Sequence, residues 1–462
     1  MEFKTNLELL ENYKPIVESE DFPAIEDSMK QKHFARVLHN TLVEGMNTEG
    51  TGRLFEDTGV TAANYSAGLT GPNVKGYDPV LISLLRRTMP NMIAYDICGV
   101  QPMTGPTGLI FAIRSKYVDQ TDLTNPILGA ESFYNEVNSG FSGTGAQAGT
   151  SPSTLNQASP GTFTKGTAYS TLTGERLGTT AGTPFPKMGF SIEKITVTAN
   201  TRKLAADYTI ELAQDLRAIH GIDAEQELVN MLQAEILGEQ NRELIRSVYI
   251  IAKPGAQNTD LQTLGTYNVA VDSNGRWAAE RFKGMFFQIE REANQIAKET
   301  RRGKGNMIIC SADVASALQM AGMLAYTPAF AGNSLKVDDT GNTYVGVLNG
   351  SYKVFVDPYA TTLANGDNFI VVGYKGADSR DAGLYFAPYT GLQSFKAINP
   401  TSFQPSIGLM SRYGLVMNPF AKGITAPDAT GSLTANSNVY YRRIRVSNLT
   451  SIAAGVVAGP AV

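Results

Sequence analysis

The chain is poor in the residues that usually carry chemistry. It has 462 residues but only three histidines, His33, His39 and His220, two cysteines, Cys98 and Cys310, and one tryptophan. Metal sites and Ser- or Cys-based triads generally need a well-placed histidine, and His33 and His39 lie together near the N-terminus. His220, in DLRAIHGID, sits between two helical patterns and reads as a turn or cap residue. Cys98 and Cys310 have neither zinc spacing nor a CxxC pair. Their apolar settings, YDICGV and MIICSA, fit core positions in a reducing compartment. Gly-rich GTGAQAG and RRGKGN match neither phosphate-binding loop nor dinucleotide fingerprint in context. In RRGKGN, Arg301, Arg302 and Lys304 are suited to neutralising a helix C-terminus. No catalytic, cofactor-binding or metal-ligating residue is predicted, and the chain reads as a non-enzyme with no cofactor.

Other absences narrow the class further. No apolar run approaches the ~20 residues a membrane helix needs. The N-terminus, MEFKTNLELLENYKP, lacks the basic start and apolar core of a signal peptide. An intracellular, soluble product with no membrane partner is expected. Charged residues make up only 18% and the net charge is −4, so no polycationic surface for sequence-independent nucleic-acid binding is predicted.

What is present is a foldable composition, 42% hydrophobic, in a chain long enough for two or more domains. Residues 1–56 stand apart. They read as two helices, about Asn6–Tyr13 and Asp27–Met46, joined by acidic ESEDFP. Their net charge is −5, leaving +1 on the remainder. On composition alone this is an acidic, solvated helical hairpin. Residues 57–77, rich in Gly, Asn, Ala and Thr, read as an extended arm. Asp78-Pro79 then opens a helix through VLISLLRRTM, with Asp as N-cap and Pro in the first turn.

LIFAIRSKY reads as a strand, and residues 119–188 follow with little charge and much Gly, Ser and Thr. So long a loop in a compact domain is uncommon. It serves either as a flexible linker or as an excursion ordered by a neighbouring subunit. FSIEKITVTANTRKLAADYTI alternates as strands. Asp223 caps a long helix with Leu228, Met231, Leu232 and Ile236 on one face, then Leu244, Ile245 and Val248. A helix of about 25 residues spans nearly 40 Å. Glu211, Asp215, Asp223, Glu225 and Glu227 lie near Arg202, Lys203 and Arg217, and salt bridging is the expected use. A further helix covers about Trp277–Thr300. The strand MIICSA, the helix ADVASALQMAG and the strands YKVFVD, NFIVVGYK and GLYFAPY form an α/β block at 303–392. Strands at LMSRYGLVMNPF and VYYRRIRVSN close an α+β chain.

Four long blocks, in order, resemble one family. They are RRTMPNMIAYDICGVQPMTGPTG (Arg86–Gly108), YTIELAQDLRAIHGIDAEQEL (Tyr208–Leu228), VGYKGADSRDAGLYFAPYTGL (Val372–Leu392) and SRYGLVMNPF (Ser411–Phe420). They are similar to the T-even-type tailed-phage major capsid proteins, over most of Pro79–Val446. The resemblance implies an α+β, HK97-like shell fold. It would divide into an N-terminal scaffold-interacting propeptide (1–56), an N-arm (57–78) and a first peripheral-domain part (79–118). An extended loop, with at most a small insertion (119–188), a peripheral domain with spine helix (189–302, the helix about 223–247), an axial domain (303–392) and peripheral return strands with the C-terminus (393–462) would follow.

The resemblance also implies hexameric capsomers in an icosahedral or prolate shell around double-stranded DNA, held without sequence-specific binding. The subunit would be assembled in the host cytoplasm with scaffold, portal, vertex protein and prohead protease, with outer decoration proteins as further partners. The family's protease cuts after a Glu preceded at two positions by Leu or Ile. Leu54-Phe55-Glu56 fits, placing the cut between Glu56 and Asp57. Leu9-Leu10-Glu11 and Leu42-Val43-Glu44 fit the same loose pattern, and position favours Glu56. A vertex (pentamer) paralogue, or a cellular nanocompartment shell protein without the cleavable segment, are the alternatives.

Overall fold

A computed structural model describes residues 6–17, 25, 27–47, 85–89, 92–118, 132, 136–149, 163–179, 184–221, 223–273, 277–322, 324–326, 343–360, 368–378, 380–398, 404–423 and 430–449. Glu56, Asp57, the arm at 57–78 and the Asp78-Pro79 helix start lie outside the described residues. The fold is α+β, as the sequence predicts.

One sheet forms the centre. Its order is β5 (Ala252–Pro254), β14 (Asn438–Ser447), β11 (Asn368–Gly373), β7 (Met307–Cys310), β10 (Tyr352–Val356), β9 (Thr343–Leu348) and β8 (Leu324–Tyr326), with β6 (Thr266–Asn268) also pairing β14. β7 is the buried middle: Met-Ile-Ile-Cys is apolar throughout, as a strand covered on both faces requires. α7 (Ala278–Thr300) packs on it through Phe282, Met285, Ile289, Ala293 and Ile296, spaced three and four apart. α8 (Ala312–Met320) follows β7 as expected.

The second sheet runs β1 (Gly99–Val100), β12 (Leu384–Ile398), β13 (Pro405–Met417), β4 (Asn200–Asp207). Short α3 (Ala94–Ile97) precedes β1. The sequence reading grouped GLYFAPY with the 303–392 strands. In the structure β12 pairs β13 and β1 instead, while VYYRRIRVSN, as β14, pairs β11. An apolar run shows that a strand is buried, but its partner is a long-range matter.

The spine is α6 (Ala224–Ile251), begun by the Asp223 side chain accepting from Glu225 N. Leu244, Ile245 and Val248 are buried as predicted, and so are Leu232 and Ile236. Met231 is not: it points to solvent. The preceding α5 (Ile210–His220) ends at Gly221 in the left-handed region, with exposed His220 in its last turn. α7 likewise ends on left-handed Arg301. Arg302 and Lys304 follow directly after it. They pair with Asp381 and Glu290.

The N-terminal segment corrects its reading as a solvated hairpin. α1 (Asn6–Val17) and α2 (Ser28–Asn47) occur near the predicted spans, but Phe34, Ala35, Val37, Leu38 and Thr41 are fully buried. The net charge of −5 hid a helical apolar stripe at positions 34, 37, 38 and 41. Leu9 and Val17 of α1 are buried with them.

Candidate functional site

The surface that breaks the ordinary rules of burial is a two-stranded ribbon. β2 (Thr107–Tyr117) and β3 (Met188–Thr198) pair antiparallel along their whole lengths, with Ile113 opposite Ile192 and Tyr117 opposite Met188. Side chains alternate between the two faces. At the base, Ile110, Ile195 and Val197 turn inward onto Met103, Tyr385, Tyr389 and Val416. The other face carries Leu109, Phe111, Ile113, Met188, Phe190 and Ile192, each between 50% and 68% exposed. Among the described residues no element covers these six large apolar side chains, and an exposed apolar face of this kind is a candidate interaction surface. Arg114 fixes the inward face by pairing with Glu193 at 2.7 Å.

Beyond the ribbon, residues 136–149 and 163–179 form a small folded tip. Thr144 bridges Thr167 and Ala148 bridges Thr164, and α4 (Thr171–Arg176) follows, capped by Ser170. The expectation that this loop is a flexible linker, or ordered only by a neighbour, is corrected for these residues. The glycines serve close backbone crossing. A Cβ on Gly143 would lie 2.1 Å from Thr167 O, and one on Gly166 would lie 2.3 Å from Gly140 N. Tyr117 packs on Phe141 with ring centroids 4.3 Å apart, tying tip to ribbon.

Charged residues elsewhere are engaged in holding elements together. Arg202 on β4 reaches Glu239 and Glu243 on α6 at 2.6 and 2.5 Å, and Tyr413 Oη at 2.7 Å. These are spine carboxylates and not the Glu211–Glu227 group the sequence suggested. Of that group, Asp223 caps α6 and Glu225 pairs with Lys396 at 2.7 Å. Asp357, whose side chain is wholly buried, accepts from Arg242 at 2.6 Å and Tyr249 at 2.8 Å, locking the spine to the end of β10.

A polar cavity of about 420 Å³ lies between α7 and the β5–β14 edge, lined in part by Lys253, Arg291, Glu292, Lys298, Glu299 and Arg442. Arg442 binds Glu292 and Glu299 at 3.1 and 2.5 Å, and Lys253 binds Glu299 at 3.2 Å. The two carboxylates are consumed by cations, which leaves no acid–base pair. Among the described residues no group of three His, Cys, Asp or Glu could hold a metal, and no helix is long and apolar enough to cross a membrane. Burial pushes both thiols, Cys98 and Cys310, up to about 12, which suits core residues and not nucleophiles. His33 is buried against Tyr95. His39 Nδ1 bonds Tyr13 Oη at 3.2 Å, inside the hairpin.

Comparison with known proteins gives the chain's family. The family model described as "Major capsid protein Gp23" matches residues 74–446. The major capsid protein of Salmonella phage ViI is 40% identical over 393 residues, covering 83% of this chain and 87% of that protein. That of Enterobacteria phage T4 is 32% identical, covering 97% of this chain and all of that protein. The capsid vertex protein of phage T4 is 29% identical over only 50% of this chain. Among solved structures, the capsid of Myoviridae phage XM1 has a TM-score of 0.37 and 9% identity, covering 84% of this chain and 100% of that one, too low a likeness to carry weight. With one ribbon face uncovered among the described residues, a family model over most of its length and long relatives of one kind, the chain belongs to the Gp23 family of phage major capsid proteins, the building material of the head shell.

Proposed function

We propose that this capsid subunit is made as a precursor that joins hexameric capsomers, its ribbon and tip lying on a neighbouring copy. The observation that carries this is the six-residue apolar face of β2–β3, which no element covers among the described residues. In this reading the ribbon and residues 119–188 are the extended loop of an HK97-like subunit. α6 is its spine, the central sheet with α7 and α8 its axial domain, and the β1–β12–β13–β4 sheet with the spine its peripheral domain. Residues 57–78 are the arm. Scaffold, portal, vertex protein and prohead protease are its partners in assembly.

Residues 1–56 are the disposable part, cut between Glu56 and Asp57. Removing them takes −5 charges from each copy and leaves +1. Close packing of DNA inside the shell is favoured by that change, because like charges near phosphates repel. Co-expression with scaffold and protease, followed by electron microscopy and mass spectrometry of the particles, tests both parts. Hexameric capsomers built from chains beginning at Asp57 are expected. Particles retaining Met1 refute the processing, and a shell without sixfold capsomers refutes the assembly reading.

A further inference from the structure

The polar cavity beside α7 offers more donors and positive charge than its own ion pairs use. Its two carboxylates are saturated. Glu292 accepts from Ala256 N and Gln288 Nε2 through Oε1, both at 2.9 Å, and from Arg442 Nη1 through Oε2 at 3.1 Å. Glu299 accepts from Lys253 Nζ through both oxygens at 3.2 Å, and through Oε1 also from Gln295 Nε2 at 3.3 Å and Arg442 Nη2 at 2.5 Å. Lys253 and Arg442 therefore balance Glu292 and Glu299 charge for charge.

Two cations of the lining are left over, Arg291 and Lys298. Arg291 meets Asp260 at 3.6 Å, but that carboxylate is 76% exposed and stands outside the lining, so the pair holds it weakly. Lys298 is exposed and has no partner among the described residues. Arg442, only 4% exposed, adds a buried Nε–H that likewise has no partner among them. Arg291 and Lys298 lie seven residues apart on the face of α7 that lines the cavity, about 10.5 Å along the helix axis. Lys253 and Arg442 come from the facing strands, β5 and β14. A volume of about 420 Å³ is within the range of small-molecule sites. Of the lining residues only Pro254 is apolar, so there is no ring or aliphatic wall on which a base could stack.

We propose that this cavity binds an anion of the oligophosphate class. Arg291 and Lys298 take its separated oxyanion groups, Lys253 faces it from the sheet edge, and Glu292 and Glu299 hold Arg442 and Lys253 in place. The groups recognised are phosphates, carried either by a free oligophosphate or by a nucleic-acid strand, and not bases. A bound anion bridges α7 and the β5–β14 edge, so it also raises the subunit's melting temperature by mass action. The site depends neither on docking of the ribbon nor on removal of residues 1–56.

Isothermal titration calorimetry of the unassembled full-length chain with tripolyphosphate at low salt tests this. One saturable site per subunit is expected, and added salt weakens it because part of the attraction is screened. Arg291→Gln and Lys298→Gln each weaken binding about three- to tenfold, the scale of one partly exposed charge-assisted contact. Lys283→Gln, which removes an exposed cation of the same helix outside the cavity, leaves binding within about twofold of wild type. Circular dichroism checks that each variant is folded. An oligothymidylate is the second probe. If it binds with the same dependence on Arg291 and Lys298, the phosphates are those of a nucleic-acid strand; if tripolyphosphate alone binds, they belong to a free anion. No saturable binding of either probe overturns the site. So does a loss in Lys283→Gln equal to that in Lys298→Gln, which would make the attraction a property of the whole helix surface.

Discussion

Replacing Phe111 and Phe190 together by Ser should abolish shell assembly and leave the subunit folded. Both rings lie on the exposed face of the β2–β3 ribbon. Fully burying a Phe, Ile, Leu or Met side chain is worth about 1.5–3 kcal/mol. At the exposures seen here, each of the six can still gain about 1–2 kcal/mol on docking, so the two rings together carry roughly 2–4 kcal/mol of one contact. That is a factor of roughly 30 to 1,000 in the affinity of each subunit contact. A shell repeats the contact in every copy, so the critical concentration for assembly should rise beyond reach. The monomer's melting temperature should stay within a few degrees, because surface changes away from caps and cores usually cost under about 0.5 kcal/mol. Light scattering and negative-stain microscopy measure assembly, and circular dichroism measures the fold. Normal particles at wild-type concentration would show that the ribbon face is not an assembly surface. A collapsed melting temperature would show that it belongs to the subunit's own core.

Two further outcomes follow from buried polar groups. Asp357→Ala leaves the partly exposed Arg242 guanidinium and the Tyr249 hydroxyl without their shared acceptor, at a cost of about 1.5–3 kcal/mol; a urea melt showing a loss below about 1 kcal/mol would refute the lock between spine and β10. His33, only 7% exposed, is held down to about 4 from 6.5 by burial, with Lys375 and Lys32 acting in the same direction and Asp27 opposing. Its folded-state value lies below its unfolded one, so its neutral form contributes fully above pH 6.5 and docking weakens as pH falls from 6.5 towards 4, by up to about 3 kcal/mol. Exchange protection of α2 at pH 7 and pH 4.5 measures this, and His33→Phe should flatten the difference; an equal acid response in wild type and variant rules His33 out as its source.

The local elements were legible because their signals are local. Asp223 before an apolar period marks the start of α6, and Gly221 marks the end of α5. Met-Ile-Ile-Cys announces a buried strand. Misreadings arose where a residue's meaning depended on something distant. Gly140, Gly143 and Gly166 look like linker residues until the chain is seen crossing itself there. The stripe Phe34, Val37, Leu38, Thr41 was visible at helical spacing, but the net charge of the whole segment, carried by acidic residues mostly outside α2, outweighed it. Arg202 had nearer carboxylates in sequence than Glu239 and Glu243, yet pairing followed the packing of β4 on the spine. The ribbon's strands were readable as strands, and the exposure of one face was not. Alternating apolar residues on both faces predict burial on both, whereas among the described residues one face is covered and the other is not.

The uncovered face bears on how the proposed docking would work. A two-stranded ribbon alone is marginal in water, and a floppy one would lose affinity to ordering on contact. Here both ends are fixed. The base is nailed into the sheet by Ile110, Ile195 and Val197, and the far end is tied by the Tyr117–Phe141 rings to a tip whose glycines let its backbones touch. The apolar face is therefore preformed along eleven cross-strand pairs, and binding orders little that is not already ordered. The low charge and high glycine content of the loop, which read as looseness in sequence, go with a tip that holds the apolar face in place for the docking proposed above.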